Sequence, residues 1–374
     1  MKDFLSLARS EARACLGSPA FLVLLLAVPV ALNVLFGAIF LPARTARALP
    51  FAVWDQDGSR DSRQLVRFIR SNPAFDLRYV LADQEEGRKL LSQRKIRGFM
   101  IIPAGFSRKI ARRETADVVV FEDFTFLLPG RTLMKNLYKV ESWYQKDRLE
   151  DSFKDRGLMA SAGEFLANPA TLNFRPLYNP SLEYTSFMLP GVLLAVLFQM
   201  MTLLGATSCF MNAAAYRGRS RASFLAVKTA VLFGLFLIPF ALTYGAFFPL
   251  FGLPQGSAPA MILAFSVFSL ASIGMGLAVA ALAGDRALGT SLILIVGAVG
   301  FTFSGYTWPM FLFPAAWKTI AYVSPLTPFL EETVKIIYGT GFPVQVWKMA
   351  AQALAYLGLA LAAVNIKRLA GGRT

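Results

Sequence analysis

The chain has 374 residues, of which 55% are hydrophobic and 16% charged, with a formal net charge of +15. The charged share is well below the roughly one quarter usual for soluble domains, so a bilayer is the expected solvent for much of the chain. There is no histidine, which excludes histidine-based metal sites, general bases and Ser-His or Cys-His nucleophile pairs, and Cys15 and Cys209 are too few for a disulfide framework.

Residues 1–18 place Phe4, Leu5, Ala8, Ala12, Cys15 and Leu16 at helical spacing, with Lys2, Asp3, Arg9 and Arg13 elsewhere on the wheel. This predicts an amphipathic helix at the inner membrane surface, either a plain interfacial anchor or a docking element for a cytoplasmic partner. Residues 19–42 contain the first span. Ala20–Leu41 carries no charge, and its length as helix is about 33 Å against a hydrocarbon core of roughly 30 Å. Ala46-Arg47-Ala48 resembles a signal-peptide cleavage site, but a signal core is only about 7–15 residues, so an uncleaved anchor is expected.

Residues 43–185 form a polar region with alternating strand and helix signals, which predicts a small α/β domain. Strands are expected at Phe51–Trp54, Leu77–Leu81, Gly98–Ile102 and Val118–Phe121. Helices are expected from a Ser59 cap to Arg70, from an Asp83 cap to Gln93, over Gly105–Arg112, and from Gly130 to about Arg156. Asp55-Gln56-Asp57-Gly58 has the opening of a calcium loop, but Val66 stands where that loop needs a glutamate, so a turn with a helix cap is expected. An Asn- and Pro-rich segment, Ser161–Pro180, leads back to the membrane.

Residues 186–374 complete the membrane region. A second charge-free run covers Tyr184–Tyr216, and spans three and four share the uncharged stretch Thr229–Gly284, broken around Pro249–Pro259. The fifth span is expected at about Leu288–Phe311 and the sixth at about Met349–Ile366. Gly284 and Gly289 have phosphate-loop spacing, but Thr290 replaces the essential lysine and no strand precedes them, so no nucleotide site is expected here. Between spans five and six, about 303–330, Gly305, Pro309, Pro314, Pro325 and Pro328 oppose continuous helix. Backbone broken at membrane depth must be covered by protein or line a wet cavity, which predicts a re-entrant hairpin and makes these five residues gate candidates. The spans lack embedded charge. Their polar groups, Asn33, Gln199, Thr202, Ser304 and Tyr306, are either helix-packing contacts or points on a substrate path.

Orientation follows from short flanks. With the N-terminus inside, the inner flanks hold eleven Lys or Arg against three Asp or Glu, so both termini are expected in the cytoplasm and residues 43–185 outside. The positive charge is split between two compartments, which argues against nucleic acid and for contact with anionic lipid.

Several stretches together resemble type-2 ABC transporter permeases. Ala52-Val53-Trp54-Asp55-Gln56-Asp57, with Ser62 and Phe75 following, is similar to the family's V-x-D-x-D-x-x-x-S pattern. Ile101-Ile102-Pro103-Ala104-Gly105-Phe106-Ser107 matches its I-I-P-x-G-F-S turn. Tyr178-Asn179-Pro180-Ser181-Leu182 with Phe187, Pro190 and Gly191 resembles its entry into the second span, and Ser304-Gly305 with Pro309 its last hairpin. The family's acidic R-E-x-E-x-G-T run is replaced here by Tyr216-Arg217-Gly218-Arg219.

The resemblance implies an α-helical membrane protein of six spans, with an extracytoplasmic α/β domain and a hairpin between spans five and six. It implies one half of an exporter in a bacterial inner membrane, paired with a second permease half, identical or homologous, and with cytoplasmic ABC ATPase subunits. The chain itself would bind no cofactor and would not be an enzyme; ATP and magnesium would sit on the partner. The exported substrate would be an amphiphile such as a drug, lipid or glycolipid, and a periplasmic adaptor could join. Candidates for ATPase coupling are Phe4, Leu5 and Arg9 in the first helix and Tyr216, Arg217 and Arg219 in the Asn212–Phe224 loop. A membrane enzyme has little chemistry to draw on. A membrane-anchored sensor or assembly factor, whose outer domain binds a ligand or partner, is the alternative.

Overall fold

The computed structural model describes residues 2–41, 48–112, 114–123, 127–154, 184–339 and 343–365. The Tyr178–Leu182 motif, the Ser161–Pro180 segment and the basic residues from Lys367 onward lie outside them. The chain divides into two units, one of Met1–Leu41 with Pro176–Thr374 and the other of Pro42–Arg175.

The first unit is helical. Helix α1 (Lys2–Leu16) leads through Gly17 into α2 (Pro19–Phe40), whose first turn is capped by Ser18. After the second unit the chain continues as α7 (Tyr184–Phe210), α8 (Arg221–Leu250), α9 (Ala258–Ala283) and α10 (Arg286–Phe303). Among the described residues, five helices, α2 and α7 to α10, are long and apolar enough to cross a membrane. Proline decides where two of them loosen. Val23–Ala27 in α2 and Ala241–Phe247 in α8 widen to π geometry just ahead of Pro29 and Pro249. A proline lacks the N–H for the normal ladder and crowds the carbonyl four residues back; a π turn absorbs both effects.

Helix α7 is buried along most of its length and packs against α2, α9 and α10. Its approach to α9 depends on glycine: a Cβ on Gly276 would stand 2.2 Å from the Thr202 carbonyl oxygen. Such backbone proximity is how apolar helices gain van der Waals contact when lipid offers no hydrophobic drive. Helix α10, by contrast, leaves Leu288, Leu292, Leu294, Ile295 and Val299 exposed.

Two expected boundaries shift. The fifth apolar helix ends at Phe303 instead of Phe311, because Gly305 takes a left-handed φ of 79° and the chain turns there. The third begins at Arg221, not Thr229, because Ser220 caps it by accepting the Ser223 N–H at 3.1 Å. That places Lys228 inside a helix that the sequence pattern treats as charge-free. Beyond α10 come α11 (Ala315–Ala321), α12 (Leu326–Tyr338) and α13 (Trp347–Ala363). At 17 residues, α13 is about 25 Å long.

The second unit is a four-stranded sheet with helices on both faces. Its elements are β1 (Leu49–Asp55), α3 (Arg60–Ser71), β2 (Phe75–Val80), α4 (Gln84–Ser92), β3 (Gly98–Ile102), α5 (Phe106–Ala111), β4 (Val119–Glu122) and α6 (Leu127–Lys154). The spatial order is β2-β1-β3-β4; β1 runs parallel to β2 and β3, and β4 antiparallel to β3. Alternation along β1 sends Phe51 and Val53 to one core, with Leu65, Ile69 and Phe106, and Ala52 to the other, with Leu81 and Phe99. β3 is buried throughout, as a strand covered on both faces must be. The caps at Ser59 and Asp83 form as expected, accepting the Ser62 and Glu86 N–H groups at 3.1 and 2.7 Å.

The two sequence patterns of this unit turn out to be one lock. Asp55 accepts the N–H groups of Asp57 and Gly58, each at 3.0 Å, and the Ser62 hydroxyl at 2.7 Å. Asp57 reaches across to the I-I-P-A-G-F-S turn and accepts the N–H groups of Gly105 at 2.9 Å and Ser107 at 3.2 Å. The Ser59 side chain most strongly, and then the Ser107 and Gly105 N–H groups, hold the Asp57 carboxyl below the usual carboxylate range. The aspartates are thus committed to chain donors and shape a turn.

Candidate functional site

Helix α7 stops because Asn212 adopts a left-handed φ of 53°, a conformation asparagine tolerates better than most residues. The stop leaves the carbonyls of the last turn without helical partners. Lys228, about 10 Å along α8 from its start, supplies them. Its ammonium donates to the carbonyl oxygens of Ser208 at 2.5 Å and Met211 at 2.8 Å. A cation here also meets the negative end of the helix dipole.

The counter-charge comes from α1. Glu11 Oε1 lies 2.7 Å from Lys228 Nζ, and both side chains are essentially fully buried. Glu11 Oε2 accepts the Tyr216 hydroxyl at 3.1 Å and the Asn212 amide at 3.4 Å. The faces of Phe224 and Tyr216 stand 5.0 and 5.4 Å from the ammonium and close the site with cation–π contact. Burial, with Glu11 beside it, raises the Tyr216 hydroxyl well above its ordinary pKa, so it stays a donor. Cys15, one turn from Glu11, is pushed up to about 12 by the same burial and is an inert thiol. At the exposed rim Arg219 meets Asp3 at 3.1 Å, an ion pair that contributes little by itself.

This cluster joins α1, the end of α7, the turn Ala213–Tyr216 and the start of α8. Two buried charges cannot separate cheaply, so the pair ties α1 to the end of α7 and to α8. Farther along α8, its π segment presents Thr243, whose hydroxyl accepts the Asn33 amide of α2 at 2.8 Å. Gly37 of α2 admits the Phe251 ring, which a Cβ there would meet at 2.3 Å. Helix α8 is thus held to α1 at one end and to α2 farther along.

The coupling candidates separate accordingly. Phe4, Leu5 and Arg9 are exposed on α1, and Arg217 and Arg219 are exposed beside them, so all five face solvent or a partner. Tyr216 does not: it is fully buried and holds Glu11. Sequence patterning missed Glu11, Lys228 and Asn212. A signal was present, since Glu11 falls three residues after Ala8 and four before Cys15, an acid in the middle of an apolar stripe.

Among the intramembrane candidates, most are committed to the fold. Thr202 donates back to the Phe198 and Gln199 carbonyls at 3.0 and 3.1 Å. Gln199 covers Gly297 and donates to the Ile293 carbonyl at 3.4 Å. Ser304 donates to Phe301 at 2.7 Å and accepts the Tyr306 N–H at 3.3 Å. Tyr306 donates to the Phe187 carbonyl and stacks on the Phe187 ring at 5.1 Å. Gly191, from the P-G of the second-span entry, makes room for it: a Cβ would sit 2.3 Å from the Tyr306 ring. Asn33 alone of these keeps a buried oxygen, Oδ1, with no partner among the described residues.

The prolines break the chain where expected. Pro309 opens the short turn Met310–Leu312, Pro314 precedes α11, and Pro325 precedes α12, with Pro328 in its first turn. Lys348 of α13 meets Glu331 of α12 at 3.2 Å, and Glu332, paired within α12 to Lys335 at 2.6 Å, accepts the N–H of Gln345 just ahead of α13 at 2.8 Å.

The sequence from residue 19 to 366 matches the model of a family described as ABC-2 family transporter protein. Two curated relatives, each described as a probable multidrug ABC transporter permease YbhR, come from Escherichia coli strain K12 and Escherichia coli O157:H7. Each is 23% identical over 347 residues, covering 88% of this chain and 88% of the relative.

Proposed function

The chain belongs to the ABC-2 family of transporter proteins and is the membrane subunit of an ABC transporter, and on that premise we propose that it is an exporter permease whose α1 helix couples ATP hydrolysis to the spans. Family membership implies association with an ABC ATPase. In this reading the ATPase is a separate cytoplasmic subunit that carries ATP and magnesium, and it docks on the exposed residues Phe4, Leu5, Arg9, Arg217 and Arg219. The observation that carries the coupling is the buried Glu11–Lys228 pair at 2.7 Å. It fastens the docking helix to the third span, so movement of the ATPase reaches α8, α7 and, through Asn33 and Thr243, α2.

Six spans complete the picture, with α13 as the sixth, both termini cytoplasmic and residues 43–185 outside. The Gly305–Pro328 region then acts as a re-entrant hairpin on the outer side. Two permease halves enclose the path in the bacterial inner membrane, with their exposed apolar faces against each other or lipid. The substrate is an amphiphile, in keeping with spans whose polar groups are amides and hydroxyls. A periplasmic adaptor is compatible with this arrangement.

Transport tests this reading. Inverted membrane vesicles holding the permease and its ATPase should accumulate rhodamine 6G when ATP and magnesium are added. A chain that recruits no ATPase, or uptake indifferent to ATP, would overturn it in favour of a sensor or assembly role. Orientation is tested by cysteine labelling in a background without Cys15 and Cys209: Gln56→Cys should react from outside intact cells and Ala214→Cys should not.

A further inference from the structure

The α/β unit contains a cleft of about 880 Å³ between its sheet and α6, a size typical of small-molecule sites. Leu65, Met100, Phe106, Ile110, Val120 and Leu137 give it apolar walls. A void of this size under a covering helix departs from the close packing of a domain core.

Its charge is one-sided. Among the described residues, the charged side chains lining the cleft are Asp117, Glu122 and Glu141, all acidic, in a chain whose formal net charge is +15. Glu122 is half-buried on β4, and burial raises its carboxyl above the ordinary range, so its anion lacks full compensation. Tyr144 also lines the cleft. It is 8% exposed, and its hydroxyl has no hydrogen-bond partner among the described residues, a state that is costly unless a ligand or water completes it. Its ring stands 6.1 Å from Phe106, and Tyr138, which is exposed, adds a further aromatic face.

We propose that this cleft binds lipophilic organic cations, with the apolar body against Met100, Phe106 and Leu137 and the positive charge held by Glu122 and Glu141. An apolar wall alone would accept any hydrophobe. The acidic lining selects the cation, and the aromatic faces favour it further. The site is independent of the permease reading, because it lies within the α/β unit and needs no ATPase.

Tetraphenylphosphonium and tetraphenylborate, ions of nearly equal size and opposite charge, provide the test. In the full-length chain with Cys15 and Cys209 replaced by alanine, Met134→Cys places a maleimide-reactive thiol in the cleft lining. Tetraphenylphosphonium, added at about ten times its half-protecting concentration, should slow labelling about tenfold, and tetraphenylborate at the same concentration should not. The double variant Glu122→Gln with Glu141→Gln should lose the protection. Glu141→Lys, at an exposed position on α6, should reverse the preference toward the borate. Equal protection by both ions in the parent, no protection by either, or a cation preference that survives both variants would overturn the proposal. ATP-driven transport can be scored separately, so failure here leaves the exporter reading standing, and the converse.

Discussion

Removing Glu11 should separate what the buried pair does for folding from what it does for coupling. In Glu11→Gln the Lys228 ammonium keeps the Ser208 and Met211 carbonyls and the two ring faces but loses its counter-charge. Breaking a buried pair on one side costs about 3–5 kcal/mol. At roughly 2–4 °C per kcal/mol for a unit of the size of Met1–Leu41 with Pro176–Thr374, its midpoint should fall by about 10 °C. Lys228→Met should cost at least as much, since it strands a carboxylate with neutral donors, the Tyr216 hydroxyl, the Asn212 amide and the Cys15 thiol, and frees both carbonyls. The double variant Glu11→Leu with Lys228→Met removes both charges and should recover most of the loss, because an apolar pair of similar volume is often neutral or stabilising. The thermal midpoint of detergent-purified protein, followed by tryptophan emission, reads stability. Permease-stimulated ATP hydrolysis in reconstituted complexes reads coupling. The double variant should be stable yet poorly coupled, since apolar contact can slide where an ion pair cannot. A midpoint shift below about 2 °C in Glu11→Gln would mean that water reaches the pair, and a stable double variant with full stimulation would reduce it to a packing element.

Three further outcomes are expected. Gly305→Leu forces a β-carbon into a backbone with φ of 79° and against Met310 at 2.9 Å; at about 1–2 kcal/mol for the left-handed strain alone, export should fall while membrane insertion persists, and unchanged export would show that the turn only anchors. Cys15, with a folded pKa of about 12 against roughly 8.5 in an unfolded chain, should resist maleimide at pH 8 until the protein is denatured. Between those two values only the unfolded thiol ionises, so this group withdraws stability as pH rises; rapid native labelling would contradict its burial. Asp57→Ala removes two backbone acceptor contacts and should cost about 1–3 kcal/mol locally, read as faster proteolysis between residues 48 and 154 in membranes. Because its folded pKa is lowered, the wild-type benefit is present above about pH 3.9 and is lost as pH falls through the folded value. Equal protease resistance of wild type and variant at neutral pH would refute the lock.

Much of this protein follows from short-range physics. Uncharged runs of spanning length fix the apolar helices, Ser59 and Asp83 fix helix starts, and Gly305 and the prolines after it fix where helix fails, because each depends on neighbours within a turn or two. The short apolar run of β1, the alternation of strand and helix signals after it and the stop at Pro103 likewise announce the α/β unit. What the sequence could not supply is which distant residues meet. Glu11 and Lys228 are 217 positions apart; each reads locally as one more flanking charge, and only the fold turns them into a buried pair that relocates Tyr216 from a docking surface to its interior. Asp57 and Ser107 each look like ordinary turn residues until β1 and β3 align and bring their loops together. The cleft of the α/β unit is of the same kind, since its acids come from the segment before β4, from β4 itself and from α6, and acquire a common sign only once those segments share a wall. Local propensity acts through the backbone of a few residues, whereas burial, charge pairing and cavities are properties of the packed chain, and tertiary structure alone decides them.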